Sequence, residues 1–161
     1  MRHDAPELSV VVPCYRCAGT IADSVSLLTA YLEGLGPAWE VVLVDDGSPD
    51  GTGQVLDGLA DGRRVRTLRL ARNRGKGAAV THGMTHARGR CRLFTDADLP
   101  YRVDSLGACF ERVRRGSHAA FGNRRIAGSD ERVQSLQRRL VSKAVRGAAG
   151  ALLGRHDVDT Q

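Results

Sequence analysis

The stretch Glu40-Val41-Val42-Leu43-Val44-Asp45-Asp46-Gly47-Ser48-Pro49-Asp50-Gly51-Thr52 runs four consecutive aliphatic residues into an abrupt acidic turn. A short, unbroken apolar run bounded by turn residues is the pattern of a strand buried on both faces, as in a parallel sheet. Gly47, Pro49 and Gly51 punctuate the turn, and Ser48 or Asp50 suits the cap of a following helix. Upstream, Leu8-Ser9-Val10-Val11-Val12 repeats the pattern and is ended by Pro13. Between the two runs, residues 18–35 place Ile21, Val25, Leu28 and Leu32 at helical spacing, closed by Gly34 and Gly36. Downstream, helices are expected at about 51–61, 75–88 and 103–115, alternating with strands at 65–70, 91–95 and 118–122. A long helix over about 130–153 carries Val133, Leu136, Leu140, Ala144 and Ala148. Such alternation predicts an α/β fold, a Rossmann-like, mostly parallel sheet with helices on both faces. Ligands of open sheets sit at the carboxyl ends of the strands. Residues 13–17, 45–50 and 96–101 are therefore where chemistry is expected.

Composition agrees with one soluble domain spanning 1–161, with 42% hydrophobic and 26% charged residues in 161. A chain of this size buries roughly 70% of its unfolded surface. The net charge of +6 suits an anionic partner such as phosphate or an acidic membrane surface. Aromatic residues make up only 4%, which argues against the stacking platforms that bind single-stranded nucleic acid. No apolar run approaches the ~20 residues of a membrane span, and Met1-Arg2-His3-Asp4-Ala5-Pro6-Glu7 lacks the apolar core of a signal peptide. A cytoplasmic location is expected, and with it reduced thiols at Cys14, Cys17, Cys91 and Cys109.

Several motifs have two readings. Asp96-Ala97-Asp98 follows a predicted strand and can present hard oxygens to Mg²⁺ or Mn²⁺, or can be an acidic turn or helix cap. Asp45 and its neighbours can accept hydrogen bonds from a base or ribose, or can simply form a turn. Arg72-Asn73-Arg74-Gly75-Lys76-Gly77 opens a helix whose N–H groups and lysine can hold phosphate. It is not a Walker loop, since Leu70 and Gly77 stand where that pattern needs glycine and Ser/Thr. His82 and His86 lie one helical turn apart but lack a third ligand, which favours ordinary surface. Cys14-Tyr15-Arg16-Cys17 has the C-x-x-C spacing of a redox pair after a strand. The arginines between 112 and 146 suit phosphate but serve mainly as a solvated helix face.

The order of these motifs is more specific than any one of them. Val10-Val11-Val12-Pro13-Cys14-Tyr15, Val44-Asp45-Asp46-Gly47-Ser48-Pro49-Asp50-Gly51-Thr52, Gly75-Lys76-Gly77 and Thr95-Asp96-Ala97-Asp98 together resemble the GT-A fold of the family 2 inverting glycosyltransferases. His82-Gly83-Met84-Thr85-His86-Ala87-Arg88-Gly89 resembles the dolichyl-phosphate mannose synthase branch, and Asp159-Thr160-Gln161 the start of a segment in polyprenyl-phosphate glucosyltransferases. The resemblance implies that Pro13 and Tyr15 line the nucleotide base and that Leu43 and Asp45 hold base and ribose. It implies that Asp96, Ala97 and Asp98 form the metal and donor-phosphate site, with Asp98 the direct ligand and Asp96 beside it. Arg124, in Gly122-Asn123-Arg124, would reach a donor or acceptor phosphate. The pattern is broken at Arg16-Cys17, where the family usually carries Asn-Glu, which removes one expected nucleotide contact.

The implied reaction moves a hexose, from UDP-glucose or GDP-mannose, to a polyprenyl or dolichyl phosphate with inversion. Asp96 and Asp98 would hold the cation that neutralises the departing diphosphate. A lipid phosphate is already anionic and needs no general base to attack the anomeric carbon. Peripheral contact with the cytoplasmic face of a membrane would follow. The chain is expected to stop short of the acceptor-binding part found in the family, so a non-catalytic nucleotide-sugar-binding fragment is the first alternative. A C-x-x-C thiol redox protein is the second, and nucleic-acid binding is not expected.

Overall fold

The valines of the first apolar run, Val10, Val11 and Val12, are all withdrawn from solvent, as a strand covered on both faces requires. A computed structural model of the chain describes residues 5–99 and 103–120. Its elements are β1 (Leu8–Cys14), α1 (Ile21–Leu35), β2 (Trp39–Asp45), α2 (Thr52–Leu59), β3 (Val65–Arg69), α3 (Lys76–His86), β4 (Cys91–Phe94) and α4 (Asp104–Arg114). The four strands form one sheet in the order β3-β2-β1-β4, and every pairing is parallel. Register sets Leu8 against both Trp39 and Cys91, and Val41 against Val65. The expected α/β architecture is therefore present.

The two faces of the sheet follow from the period-two alternation of strand side chains. Val10, Val12, Val41 and Leu43 pack with Ile21, Val25, Leu28 and Leu32 of α1, Leu56 of α2 and Phe110 of α4. Val11, Val42 and Val44 pack on the other face with Ala79 of α3, Leu70 and Ala87. Gly83 lets α3 settle onto this second face, because a Cβ there would collide with Val11 and crowd Val44.

The end of α3 is tied to the sheet by a buried polar network. Glu40, 1% exposed, accepts hydrogen bonds from the Ser9 hydroxyl (2.7 Å), the Arg88 amide (2.6 Å) and Arg66 Nε (3.0 Å). The Gly89 amide in turn donates to Ser9 Oγ (2.8 Å). Burial by itself raises the Glu40 carboxyl, but the Arg88 amide, the Ser9 hydroxyl and the Arg66 guanidinium outweigh it and hold the group below its ordinary value.

Three sequence expectations change. β1 continues through Pro13 to Cys14 rather than ending at the proline. Cys14 C=O is turned to β2, where it accepts the Asp46 amide, and Val11 C=O is turned to β4, where it accepts the Thr95 amide. Pro13 thus turns its missing N–H toward β4 beyond the last paired residue, where no ladder bond is lost. The strand expected over 118–122 is not formed in its described part, 118–120. Helix α4 ends instead in a Schellman turn, with Gly116 at φ +102°, its amide on Val113 C=O and the Ser117 amide on Arg112 C=O. Helix α2 is preceded by Gly51 at φ +89°, and Asp50 accepts the Thr52 amide (3.2 Å) from just outside the cap. The helix expected over 130–153 lies outside the described residues.

Candidate active site

The chain steps from β1 out to β2 and β3, then returns to lay β4 on the opposite side of β1. Such a reversal leaves a crevice at the carboxyl ends of the two strands between which it occurs, because their outgoing loops diverge. A cleft of about 580 Å³ lies there, within the roughly 300–1,000 Å³ of small-ligand sites. Its walls come from Pro13–Cys17 at the end of β1 and just beyond it, Asn73, Gly75 and Lys76 at the start of α3, and Asp96–Asp98 after β4.

Each wall is fixed by identifiable bonds. Leu99 N–H closes a turn onto Asp96 C=O (3.1 Å), and Leu99 itself sits in the core at φ +42°. That anchor leaves Asp96 half-buried and Asp98 exposed at the cleft. Asp96 Oδ1 is 2.6 Å from Lys76 Nζ, so a cation already faces the carboxylate. Asp46, 2% exposed, accepts the amides of Arg74 and Gly75, each at 2.8 Å on a separate oxygen, which fixes the approach to α3 and so the base of Lys76. Gly47 permits the close passage of this loop, since its φ is +65° and a Cβ would lie 2.5 Å from the Arg72 carbonyl carbon.

The first wall is held by the acidic turn. The Arg16 amide donates to Ser48 Oγ (3.2 Å), and the Cys17 amide to Thr52 Oγ1 (2.9 Å). Thr52 Oγ1 in turn donates to Asp50 Oδ1 (2.7 Å), and these Thr52 bonds hold the Asp50 carboxyl below the usual carboxylate range. Tyr15 is 41% exposed at the mouth, with the Arg16 guanidinium over its ring. Cys14 and Cys17 are both free. The hydrogen bond with Cys17, and then burial, push the Cys14 thiol far up. The same contact, with help from Thr52, lowers Cys17.

Of the residues expected to form the site, Pro13, Tyr15, Asp96, Ala97 and Asp98 are brought together in this cleft. Leu43 and Asp45 are not among its lining residues. Leu43 is fully buried between the sheet and the α1 and α2 side. Asp45 spends its oxygens on the Ser48 amide (2.9 Å) and Arg69 Nε (3.2 Å). Arg124 lies outside the described residues. Asp46 was absent from the expected set, and strand alternation is the signal that finds it: it shares the face of Val42 and Val44, toward α3. His82 and His86 meet on α3 with ring centroids 4.3 Å apart and planes tilted by 50°, and neither lines the cleft. Among the described residues, no group of three His, Cys, Asp or Glu side chains is arranged around one point.

The switch point of this Rossmann-like α/β sheet thus carries a carboxylate pair and a lysine. The glycosyl transferase family 2 model matches residues 9–158, and the chain belongs to this family. It is 30% identical over 137 residues to the dolichol-phosphate mannosyltransferase of Pyrococcus furiosus, covering 85% of this chain and 38% of that protein. It is 41% identical over 101 residues to the dolichyl-phosphate beta-glucosyltransferase of Saccharomyces cerevisiae, covering 56% and 29%. Among solved structures, a mannosyltransferase from Pyrobaculum calidifontis in complex with GDP-Man and Mn²⁺ superposes with a TM-score of 0.52 at 28% identity, covering 65% of this chain and 31% of the other. The chain thus spans well under half the length of these relatives. Among the described residues no helix is long and apolar enough to cross a membrane.

Proposed function

We propose that residues 1–161 form the donor-binding part of an inverting hexosyltransferase that uses a nucleotide sugar and a divalent cation and acts on a polyprenyl phosphate. The observation that carries this is the convergence of Pro13, Tyr15, Lys76, Asp96 and Asp98 on one cleft at the switch point of the sheet. Pro13 and the exposed Tyr15 ring offer an apolar edge to the base. Lys76 stands where the diphosphate follows, at the N-terminus of α3.

The donor set suits Mg²⁺ or Mn²⁺. Such ions are commonly held by one or two carboxylates and complete their shell with phosphate oxygens and water. Asp96 and Asp98 supply two hard oxygen ligands facing an open cleft, and the Lys76–Asp96 contact shows that the site already holds positive charge. Bound there, a divalent cation supplies neutralisation of the charge that develops on the departing diphosphate. Asp96 and Asp98 would hold that cation against the donor phosphates, and Lys76, released from Asp96, would face the leaving group. A phosphate oxygen of the acceptor attacks the anomeric carbon from the side opposite the breaking C–O bond, which inverts the configuration. Arg124 is assigned to a donor or acceptor phosphate by its motif alone. A lipid acceptor would bring the protein to a membrane surface, and the cytoplasmic face is the one we propose.

UDP-glucose and GDP-mannose are both retained as donors, because the relatives include a glucosyltransferase and a mannosyltransferase. The test is transfer of labelled glucose or mannose from each donor to a polyprenyl phosphate with Mn²⁺, compared with Asp98→Ala. Transfer from one donor, abolished by the substitution, supports the proposal. A donor-binding fragment without turnover is the second reading. Metal-dependent donor binding with no transfer and no donor hydrolysis selects that reading.

A further inference from the structure

Cys14 and Cys17 belong to none of the roles above, yet both line the same cleft as Tyr15 and Asp98. Cys14 is fully buried at the end of β1, and its thiol donates to Val12 C=O (3.4 Å). Cys17 is half-buried. Its amide is fixed by Thr52, and its C=O receives the amides of Thr20 and Ile21, which starts α1. Arg16, between them, is in the left-handed region at φ +51°, and the chain bends at Tyr15 and Arg16, so that Cys14 and Cys17, three residues apart, both face the one cleft. The pair thus has an accessible sulfur in front of a shielded one, both inside a ligand cleft.

We propose that Cys17 and Cys14 form a hydroperoxide-sensitive dithiol site whose oxidation to an intramolecular disulfide remodels the Pro13–Cys17 wall and weakens nucleotide binding. The binding half of this proposal rests on the cleft taking a nucleotide. In the first step the Cys17 thiolate attacks the peroxide O–O bond, giving the sulfenic acid and, after protonation, one water from hydrogen peroxide. In the second, the Cys14 sulfur displaces the sulfenic oxygen, and its proton leaves with that oxygen as a second water. Two thiols and one peroxide give one disulfide and two waters. Closing the bond pulls Cys14 Sγ from Val12 C=O and shifts Tyr15 and Arg16, which lie inside the new ring.

Supporting features lie outside the titration of the pair. Accessibility orders the steps, because only Cys17 meets solvent. The low exposure of Cys14 spares it from direct over-oxidation. Cys91 and Cys109 are not among the cleft-lining residues and serve as internal controls.

The test uses the full chain with hydrogen peroxide, followed by trypsin. Trypsin cuts after Arg16, between the two cysteines, so a 14–17 disulfide joins two tryptic peptides that dithiothreitol separates. The expected result is that joined pair, formed at a peroxide dose that leaves Cys91 and Cys109 unmodified. Affinity for UDP or GDP with Mn²⁺ is expected to fall about tenfold on oxidation, the effect of losing one good polar contact, and to return on reduction. In Cys17→Ser, affinity measured before and after peroxide should not change, and in Cys14→Ser no joined peptides should form. Absence of the joined peptides overturns the site, and unchanged affinity in protein shown to carry the disulfide overturns its effect on the cleft. If the reduced protein binds neither nucleotide, the functional proposal fails, while the peptide map still decides whether the dithiol site exists.

Discussion

Replacing Asp46 by asparagine isolates the contact that fixes the approach to α3. The wild-type carboxylate accepts two amides, from Arg74 and Gly75, one on each oxygen at 2.8 Å. Asparagine keeps one acceptor and turns its NH₂ toward the other amide, so a donor faces a donor inside a nearly solvent-free site. Hydrogen bonds to a charged acceptor contribute about 1.5–3 kcal/mol each. Losing one of them and the charge assistance of the other costs about 2–4 kcal/mol. With a urea slope of about 2 kcal/mol per molar for a chain of this size, the unfolding midpoint should fall by about 1–2 M. Because the clamp holds a short segment, hydrogen exchange should show the Arg74 and Gly75 amides losing protection before the strands do. Nucleotide affinity should also fall, since the base of Lys76 is no longer fixed. A midpoint within about 0.3 M of wild type, with both amides still protected, would refute the clamp.

Glu40, Gly47 and Gly36 give further outcomes. Glu40→Ala leaves Arg66 without its buried partner and the Arg88 amide and Ser9 hydroxyl without their acceptor, and should destabilise by about 3–5 kcal/mol in urea unfolding. Glu40 has a carboxyl held below its ordinary value of 4.5. Its stabilisation is therefore complete above that pH and is lost as pH falls through the lower folded-state value, so a pH series of wild type and Glu40→Gln should show their midpoints converging in acid. Gly47→Ala combines a left-handed φ with a Cβ 2.5–2.7 Å from the Arg72 and Asn73 backbone, and should cost about 2–4 kcal/mol. Gly36→Ala, at φ +96° and ψ −41° with open space around it, should cost about 1–3 kcal/mol by the same measurement, from backbone strain without collision.

The strands were legible because a parallel sheet leaves continuous aliphatic runs, and Val10–Val12 and Val41–Val44 are buried as such runs demand. The Asp96-Ala97-Asp98 turn was legible because its position after a strand makes it a feature of the sheet's carboxyl edge. Asp45 and Asp46 divide at the end of the same strand, Asp45 turning to Ser48 and Arg69 and Asp46 to the amides before α3 and to the cleft. Leu43 and Asp45, which the resemblance assigned to base and ribose, share the face of β2 that α1 and α2 cover. The Lys76–Asp96 pair and the Asp46 clamp join residues 20 to 29 positions apart. Only the return of β4 to the side of β1 creates the first of these contacts, and that strand order is not written in local periodicity. The strand expected at 118–122 failed for a local reason, the glycine-centred end of α4, which an arginine-rich helix terminus followed by Gly116 could have signalled.

The central claim is that the cleft between β1 and β4 binds a nucleotide sugar through a cation held by Asp96 and Asp98. Calorimetric titration of UDP, GDP, UDP-glucose and GDP-mannose, with and without Mn²⁺, tests it on wild type and Asp98→Ala. The account predicts Mn²⁺-dependent binding of one nucleotide and its sugar, weakened about tenfold or more in the variant through loss of a carboxylate ligand. Failure of folded wild-type protein to bind any of the four with Mn²⁺ present, or equal affinity in Asp98→Ala, would contradict it.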